Sequence, residues 1–394
     1  MHKHHNALGL ATSLKPVQPV TLIRSHAASR AARFFVEKFP GRSIYAVKAN
    51  PSPELLKILW ESGITHYDVA SIAEVRLVAR TLPDAVLCFM HPVKAEEAIA
   101  EAYHEHGVRT FSLDTMEELE KIARATKNAT DLTLCVRLRV SSEHSKLSLA
   151  SKFGASPQEA RQLLIATRQL ADALGICFHV GSQAMSPAAY SEAMQRVRAA
   201  IVDAAVTVDV VDVGGGFPSS YPGMEPPPLE VFFEVIHKCF EALPVSYSSE
   251  LWCEPGRALC AEYSSLIVRV EKRRGTELYI NDGAYGALFD AAHIGWRFPV
   301  ELLRDTSSNA RDVAFSFYGP TCDDMDHMAG PFYLPADVKA GDYIEIGMLG
   351  AYGCAMRTGF NGFGSGETIE VSDEPMASLY VESERRIASN VVKL

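Results

Sequence analysis

Lys48 stands at the end of the apolar run "SIYAV" and three residues ahead of Pro51, where a charge has no packing reason to be. A lysine at the mouth of a site loses its proton more readily than one in water, and the free amine attacks a carbonyl carbon. In "DVGGGFP", Gly214, Gly215 and Gly216 let backbone N–H groups close on an anion with no Cβ in the way; Arg257, beside Gly256 in "EPGR", can complete a phosphate cradle. Glu254 in that same string can keep an aromatic ring nitrogen protonated, which makes the ring an electron sink. His179 in "FHVGSQ" can stack on a flat ring. Singly, each residue has a plainer role: a rim lysine in an ion pair, a tight turn, a salt bridge from Glu254 to Arg257, a hydrogen-bonded core histidine.

A repeated strand-and-helix fold would gather them. Short β-rich runs at 42–48, 64–69, 85–89, 108–113, 132–137, 176–180, 206–213 and 251–254 alternate with helical patterns such as "SPELLKILWESG" and "TMEELEKIARAT", several opened by a capping Ser or Thr. Eight strands with crossover helices predict an α/β fold with a closed (β/α)8 barrel over residues 24–262, whose site forms where the strands end. Lys48, Asp68, Arg137, His179, the glycine run and Glu254 all fall at such ends. Beyond Ala261 the pattern turns to alternating runs such as "SSLIVRVEKR" and "DYIEIGM" with little helix. This predicts a C-terminal β-rich domain over 263–394, with residues 1–23 as a tail plus a first strand, "PVTLIR", that joins it.

A lysine for an aldehyde, a phosphate cradle, a carboxylate for a ring nitrogen and a flat histidine, all at one end of one barrel, describe a site for pyridoxal 5′-phosphate. The strings "YAVKANPSPELLKIL", "YDVASIAEV", "SKFGAS", "FHVGSQ", "DVGGGFP", "EPGR", "YGPTCDDMD" and "GAYGCAMRTGFNGF" resemble, in the same order over nearly the whole chain after the tail, the ornithine/lysine decarboxylase group of the alanine-racemase-fold decarboxylases. The resemblance implies that Lys48 bonds the cofactor's aldehyde carbon, that Glu254 pairs with the ring nitrogen and that His179 stacks on the ring. It gives the phosphate to Ser182, Gly214, Gly215, Gly216, Gly256, Arg257 and Tyr352, and a supporting ring to Asp68, Glu74, Arg137 and Lys152. Arg139, two residues on and on the same strand face, could replace Arg137. "GPTCDDMD" is similar to the segment that the family inserts into a neighbouring subunit's site, which implies a homodimer with composite sites. By the same resemblance Cys322 donates a proton to Cα after CO2 leaves, Asp323 lies near the substrate's distal amine, and Tyr285 and Phe360 contact substrate.

One loop departs from the family. In "NDGAYGALFDAAHIGWRFP" the family's second distal acid matches Asp290 if a short gap follows "YG"; without the gap His293 falls nearer that position, and an imidazole is the poorer partner for an ammonium group. The gapped alignment keeps the acid and its neighbours and is preferred.

Composition bounds the rest. The chain has 394 residues, 47% hydrophobic and 22% charged, with a formal net charge of -10, which disfavours nucleic acid and anionic membranes as partners and points to a small molecule. Its eight cysteines form no C-x-x-C pair and mostly sit in apolar runs, the usage of a reducing cytoplasm. No stretch approaches the roughly 20 apolar residues of a membrane span. No metal site is expected; His2, His4 and His5 read as part of a mobile solvated tail. The expected activity is pyridoxal-phosphate-dependent decarboxylation of a basic L-amino acid, L-ornithine to putrescine foremost, in polyamine metabolism. Alternatives are the same chemistry on lysine, arginine, diaminopimelate or a conjugated diamino acid, a racemase of the same fold, or an inactive regulatory homologue. A racemase needs bases on both faces of the cofactor, which "PTCDDMD" fits less well. The retained Lys48, Glu254, Arg257 and Cys322 argue against a dead homologue.

Overall fold

The computed structural model describes residues 6–140, 143–148, 151–306, 308–364 and 366–380. They form two units: Ala32–Pro218 with Pro226–Ala258, and the residues up to Ala31 with Ser219–Glu225 and those from Leu259 on.

In the first unit eight parallel strands close into a barrel: Arg42–Ala46, His66–Val69, Val86–Phe89, Thr110–Leu113, Thr133–Arg137, Ala173–Cys177, Val210–Asp212 and Glu250–Cys253. The last pairs back to the first, Trp252 opposite Arg42 and Cys253 opposite Ser43. The expected helices lie between them, and three begin on side-chain caps: the hydroxyls of Ser71, Thr115 and Ser156 accept from the N–H groups of Glu74, Glu118 and Glu159. Ile44, Cys88, Met90, Cys135, Cys177, Val210 and Trp252 form one buried cluster. The cysteines act there as small apolar fillers, their thiols pushed up by burial. Gly175 is obligatory beside them, since a Cβ would stand 2.4 Å from the Cys135 sulfur.

Three expected boundaries are corrected. The first strand ends at Ala46, and Lys48 sits in the 3-10 turn Val47–Ala49, closed by the Asn50 N–H on the Val47 carbonyl at 3.1 Å. The sixth strand is Ala173–Cys177 and not 176–180. Its preceding helix stops at Leu170 because Arg168 donates to the Ala171 and Asp172 carbonyls at 2.8 and 2.7 Å, which frees the following residues for the sheet. His179 therefore lies in the loop past the strand. The seventh strand keeps only Val210–Asp212 of 206–213.

In the second unit the long strand Ser264–Arg274 pairs antiparallel with Tyr343–Ile346, Glu277–Ile280 and Val20–Ile23. Val20–Ile23 runs parallel to Glu367–Glu370. Glu277–Ile280 runs parallel to Asp312–Tyr318, which pairs antiparallel with His327–Pro335, and Val300–Leu303 lies antiparallel to Tyr343–Ile346. The expected solvated N-terminal tail is helical over Ala7–Leu14, capped by the Asn6 side chain on the Gly9 N–H at 2.7 Å. Ala7, Leu10 and Ala11, one turn apart, are buried against Leu22, Ile267 and Val371, a short amphipathic stripe that a polar-looking composition hides. His2, His4 and His5 lie outside the described residues. Among the described residues no helix is long and apolar enough to cross a membrane.

Candidate active site

The C-terminal ends of the barrel strands carry the chemistry. Lys48 Nζ lies 3.4 Å from Oδ2 of Asp68, whose side chain is buried at the end of the second strand. Glu74, next along, accepts from the Ala70 N–H at 2.7 Å, and burial raises its carboxyl. His179 accepts from the Gly181 N–H through Nδ1 at 3.0 Å, so the proton of the neutral ring belongs on Nε2. Burial, with the charges of Lys48 and Arg137 adding to it, holds this imidazole far below its usual range. His179 is thus a neutral flat ring within electrostatic reach of both cations. Arg137 ends the fifth strand, whereas the exposed Arg139 turns its Nε to the Gly154 carbonyl at 3.1 Å; this supports Arg137 as the member of the site. Lys152 is exposed at the loop where its charge reaches His91.

The glycine run is built for close approach. Gly214 has φ +67° and Gly216 +105°, the left-handed half of backbone space. A Cβ on Gly215 would stand 2.8 Å from the Glu254 carbonyl oxygen and 3.1 Å from His179 Nε2, filling the space beside the ring. Among the described residues nothing accepts from the N–H groups of Gly215 and Gly216. Ser182 is half-buried in Ser182–Ala184, and the buried Arg257 opens Arg257–Cys260 just after Gly256. Unclaimed amides in a cradle that a single methyl would fill, with a buried arginine following the next glycine turn, fit a phosphorylated ring.

Asp212 belongs to this site and was missed in the sequence. Fully buried at the end of the seventh strand, it accepts from the Gly214 N–H at 2.8 Å, and its carboxyl faces that of Glu254. Burial pushes Asp212 up to about 6. Glu254 is raised well above the usual range by burial, with Asp212 and Asp68 adding to the rise and Lys48 opposing it. Two acids that close cannot both ionise cheaply. The signal was an acid inside an otherwise apolar strand, two residues ahead of the glycines.

A second cluster lies in the other unit. The Tyr285 hydroxyl donates to Asp323, and that bond with the Met325 N–H at 3.0 Å holds Asp323 below the usual carboxylate range. The Phe360 ring lies 4.8 Å from that of Tyr285. Cys322, exposed, is next to Asp323 on the rim of a 690 Å³ groove. Tyr352 lies in a turn of this unit at φ +65°.

The family model of the pyridoxal-dependent decarboxylases, pyridoxal binding domain, matches residues 24–261. The lysine/ornithine decarboxylase of Selenomonas ruminantium is 33% identical over 340 residues, 84% of each chain. The chain belongs to the pyridoxal-dependent decarboxylases. The solved arginine decarboxylase of Paramecium bursaria Chlorella virus bound to agmatine superposes on this decarboxylase with a TM-score of 0.81 at 27% identity, covering 92% of this chain and 98% of that one. The lysine/ornithine decarboxylase of Vibrio vulnificus complexed with cadaverine gives 0.78 at 28% identity, covering 94% and 100%.

This decarboxylase thus uses pyridoxal phosphate, and Lys48, Asp68, Glu74, Arg137, His179, the glycine run and Glu254 lie near one another at one end of the barrel. Asp290 sits half-buried in the short helix Phe289–His293 and lines neither the groove at Cys322 nor the smaller cavity at Tyr285. His293 is exposed, its ring 4.3 Å from that of Phe289.

Asp326, the last acid of "TCDDMD", is a knot that the sequence did not reveal. Buried, it accepts from the Ala284 N–H at 2.7 Å and from the N–H and hydroxyl of Thr321 at 3.0 and 2.7 Å, tying the Tyr285 turn to the Cys322 loop. Gly283 and Gly319 press on it so closely that a Cβ on either would stand 2.1 Å from its Oδ1. Asp326→Ala strands one buried and two half-buried donors and should lower stability by about 1–3 kcal/mol in denaturant titration, with Asp326→Asn in between. An unchanged midpoint for the alanine variant would mean that the loops are held by something else.

Proposed function

We propose that the enzyme decarboxylates a basic L-amino acid, L-ornithine by preference, to the diamine putrescine in polyamine metabolism, and that it works in the cytoplasm as a homodimer with composite sites. The observation that carries this reading is the Cys322 and Asp323 pair: a thiol able to give a proton stands next to a carboxylate kept ionised by Tyr285 and able to take a distal ammonium. The names of the relatives, which act on lysine, ornithine or arginine or hold their amines, support a basic substrate.

Bound pyridoxal phosphate supplies the electron sink that lets CO2 leave Cα. In this reading Lys48 anchors the cofactor, the glycine amides with Ser182, Gly256, Arg257 and Tyr352 hold its phosphate, Glu254 holds the ring nitrogen, and neutral His179 covers the ring without competing for charge. Asp68, Glu74 and Arg137 fix the lysine and the histidine. Cys322 then delivers its proton to Cα, giving the amine. Assaying CO2 release and the amine formed from ornithine, lysine, arginine and diaminopimelate tests the proposal; no release from any of them overturns it.

The distal pocket gives a sharper test. Losing one carboxylate from an ammonium costs a charge-assisted hydrogen bond, about 1.5–3 kcal/mol, or roughly tenfold to a hundredfold in kcat/KM. Asp290→Asn should show that loss on ornithine with the cofactor spectrum intact, and His293→Ala much less. The reverse pattern would put His293 in the pocket and misplace the gap.

A further inference from the structure

Among the described residues one side chain, that of Asn361, holds Cys322. Oδ1 of Asn361 lies 3.2 Å from the Cys322 backbone nitrogen and 3.2 Å from its sulfur. A backbone N–H can only donate, so the amide of Asn361 must present its oxygen to this residue and not its NH2 group. That choice decides the sulfur as well. A carbonyl oxygen can only accept, so the partner that satisfies it is the protonated thiol; a thiolate there would set two acceptors face to face.

Asn361 is itself well placed for the task. It adopts φ +54° inside the turn Phe360–Gly362, a left-handed conformation that asparagine tolerates better than most residues. The turn is tied back to the substrate side of the unit: the Thr358 N–H donates to the Tyr285 carbonyl at 2.9 Å, and the Phe360 ring packs on Tyr285. Asp323 and Cys322, consecutive in the chain, are thus held by Tyr285 and Asn361 respectively, and those two holders are joined through Thr358 and Phe360.

We infer that Asn361 is a positioning residue for protonation: its side-chain oxygen keeps the proton on the Cys322 sulfur and fixes the direction of the thiol until the proton is delivered. This rests on the reading of Cys322 as the proton donor. Asn361 acts only through Cys322 and not on the reacting carbon.

The test uses holoenzyme and two variants. Asn361→Gly keeps the backbone freedom that the turn requires and removes the oxygen; Asn361→Asp keeps an acceptor oxygen and adds a charge that favours the thiol further. Iodoacetamide modification of Cys322, followed by peptide mass spectrometry to separate it from the exposed Cys354, should be about three- to tenfold faster in Asn361→Gly and slower than wild type in Asn361→Asp. The ratio of amine to aldehyde product should fall in Asn361→Gly, because the proton arrives less reliably at Cα, and should be retained in Asn361→Asp. Wild-type alkylation rate and product ratio in Asn361→Gly, while Cys322→Ala misdirects the proton, would overturn the role of Asn361 alone. A Cys322→Ala enzyme with full activity and pure amine product would instead overturn the reading beneath it.

Discussion

Lys48→Ala protein should bind no borohydride-reducible yellow chromophore and should lose turnover by roughly 10⁴-fold or more, the scale on which removing one member of a catalytic unit acts. The argument is positional. The lysine sits in the turn that closes the first barrel strand, its side chain 44% exposed so that a carbonyl compound can reach it, and a buried aspartate at 3.4 Å holds it in place. Its charge is felt by Glu74, His179 and Glu254 alike, so the amine lies at the electrostatic centre of the barrel mouth. Absorbance of the purified variant before and after borohydride, with CO2 release on ornithine, measures both effects. Normal turnover in Lys48→Ala would remove the anchor from the scheme. The same variant tests the composite dimer: after proven subunit exchange with Cys322→Ala, half the dimers are mixed and each has one complete site, so about a quarter of wild-type activity should return. No recovery would mean that each chain supplies its whole site.

Much of this is legible in the sequence alone, and the reasons differ by residue. Lys48, the glycine run and Glu254 show because each breaks a local pattern: a charge ending an apolar run, three glycines where one would make the turn, an acid before a proline and glycine. The barrel shows because its strands and helices alternate with different periods. What stayed hidden depends on contacts remote in sequence. Asp326 looks like one more acid in an acidic loop until Ala284, 42 residues away, donates to it. Asn361 reads as turn chemistry until its side chain meets Cys322, 39 residues away. The end of the helix at Leu170 is marked by an arginine side chain reaching the Ala171 and Asp172 carbonyls just beyond it, which periodicity does not register. The N-terminal helix offers only two buried alanines and a leucine as apolar signal, and tertiary packing, not propensity, decides it.

The facing acids Asp212 and Glu254 predict a pH signature in cofactor-free protein. Both hold their protons more tightly folded than unfolded, where such groups titrate near 4. From about pH 4 to about 6 and beyond, the folded chain therefore binds more protons than the unfolded one; the stabilisation is full below that window and is lost as pH rises through it. His66, lowered to about 4 by burial, acts in the opposite sense, so the pair must be isolated by difference. Melting temperatures from pH 4.5 to 8 should fall more steeply for wild type than for Asp212→Asn, whose amide can still accept from Gly214, with the variant gaining about 2 °C or more at the alkaline end. Parallel curves would show that Asp212 does not titrate with Glu254. In the proposed function Glu254 would hold the ring nitrogen of bound cofactor, and its carboxylate would there gain the cationic partner that burial otherwise denies it. Glu254→Gln cannot hold that nitrogen protonated, and it should lower kcat about 10²–10³-fold, the usual result of deleting one preorganised electrostatic contact, while the chromophore that depends on Lys48 persists. A Glu254→Gln enzyme that turns over at the wild-type rate would show that the ring nitrogen finds its charge elsewhere.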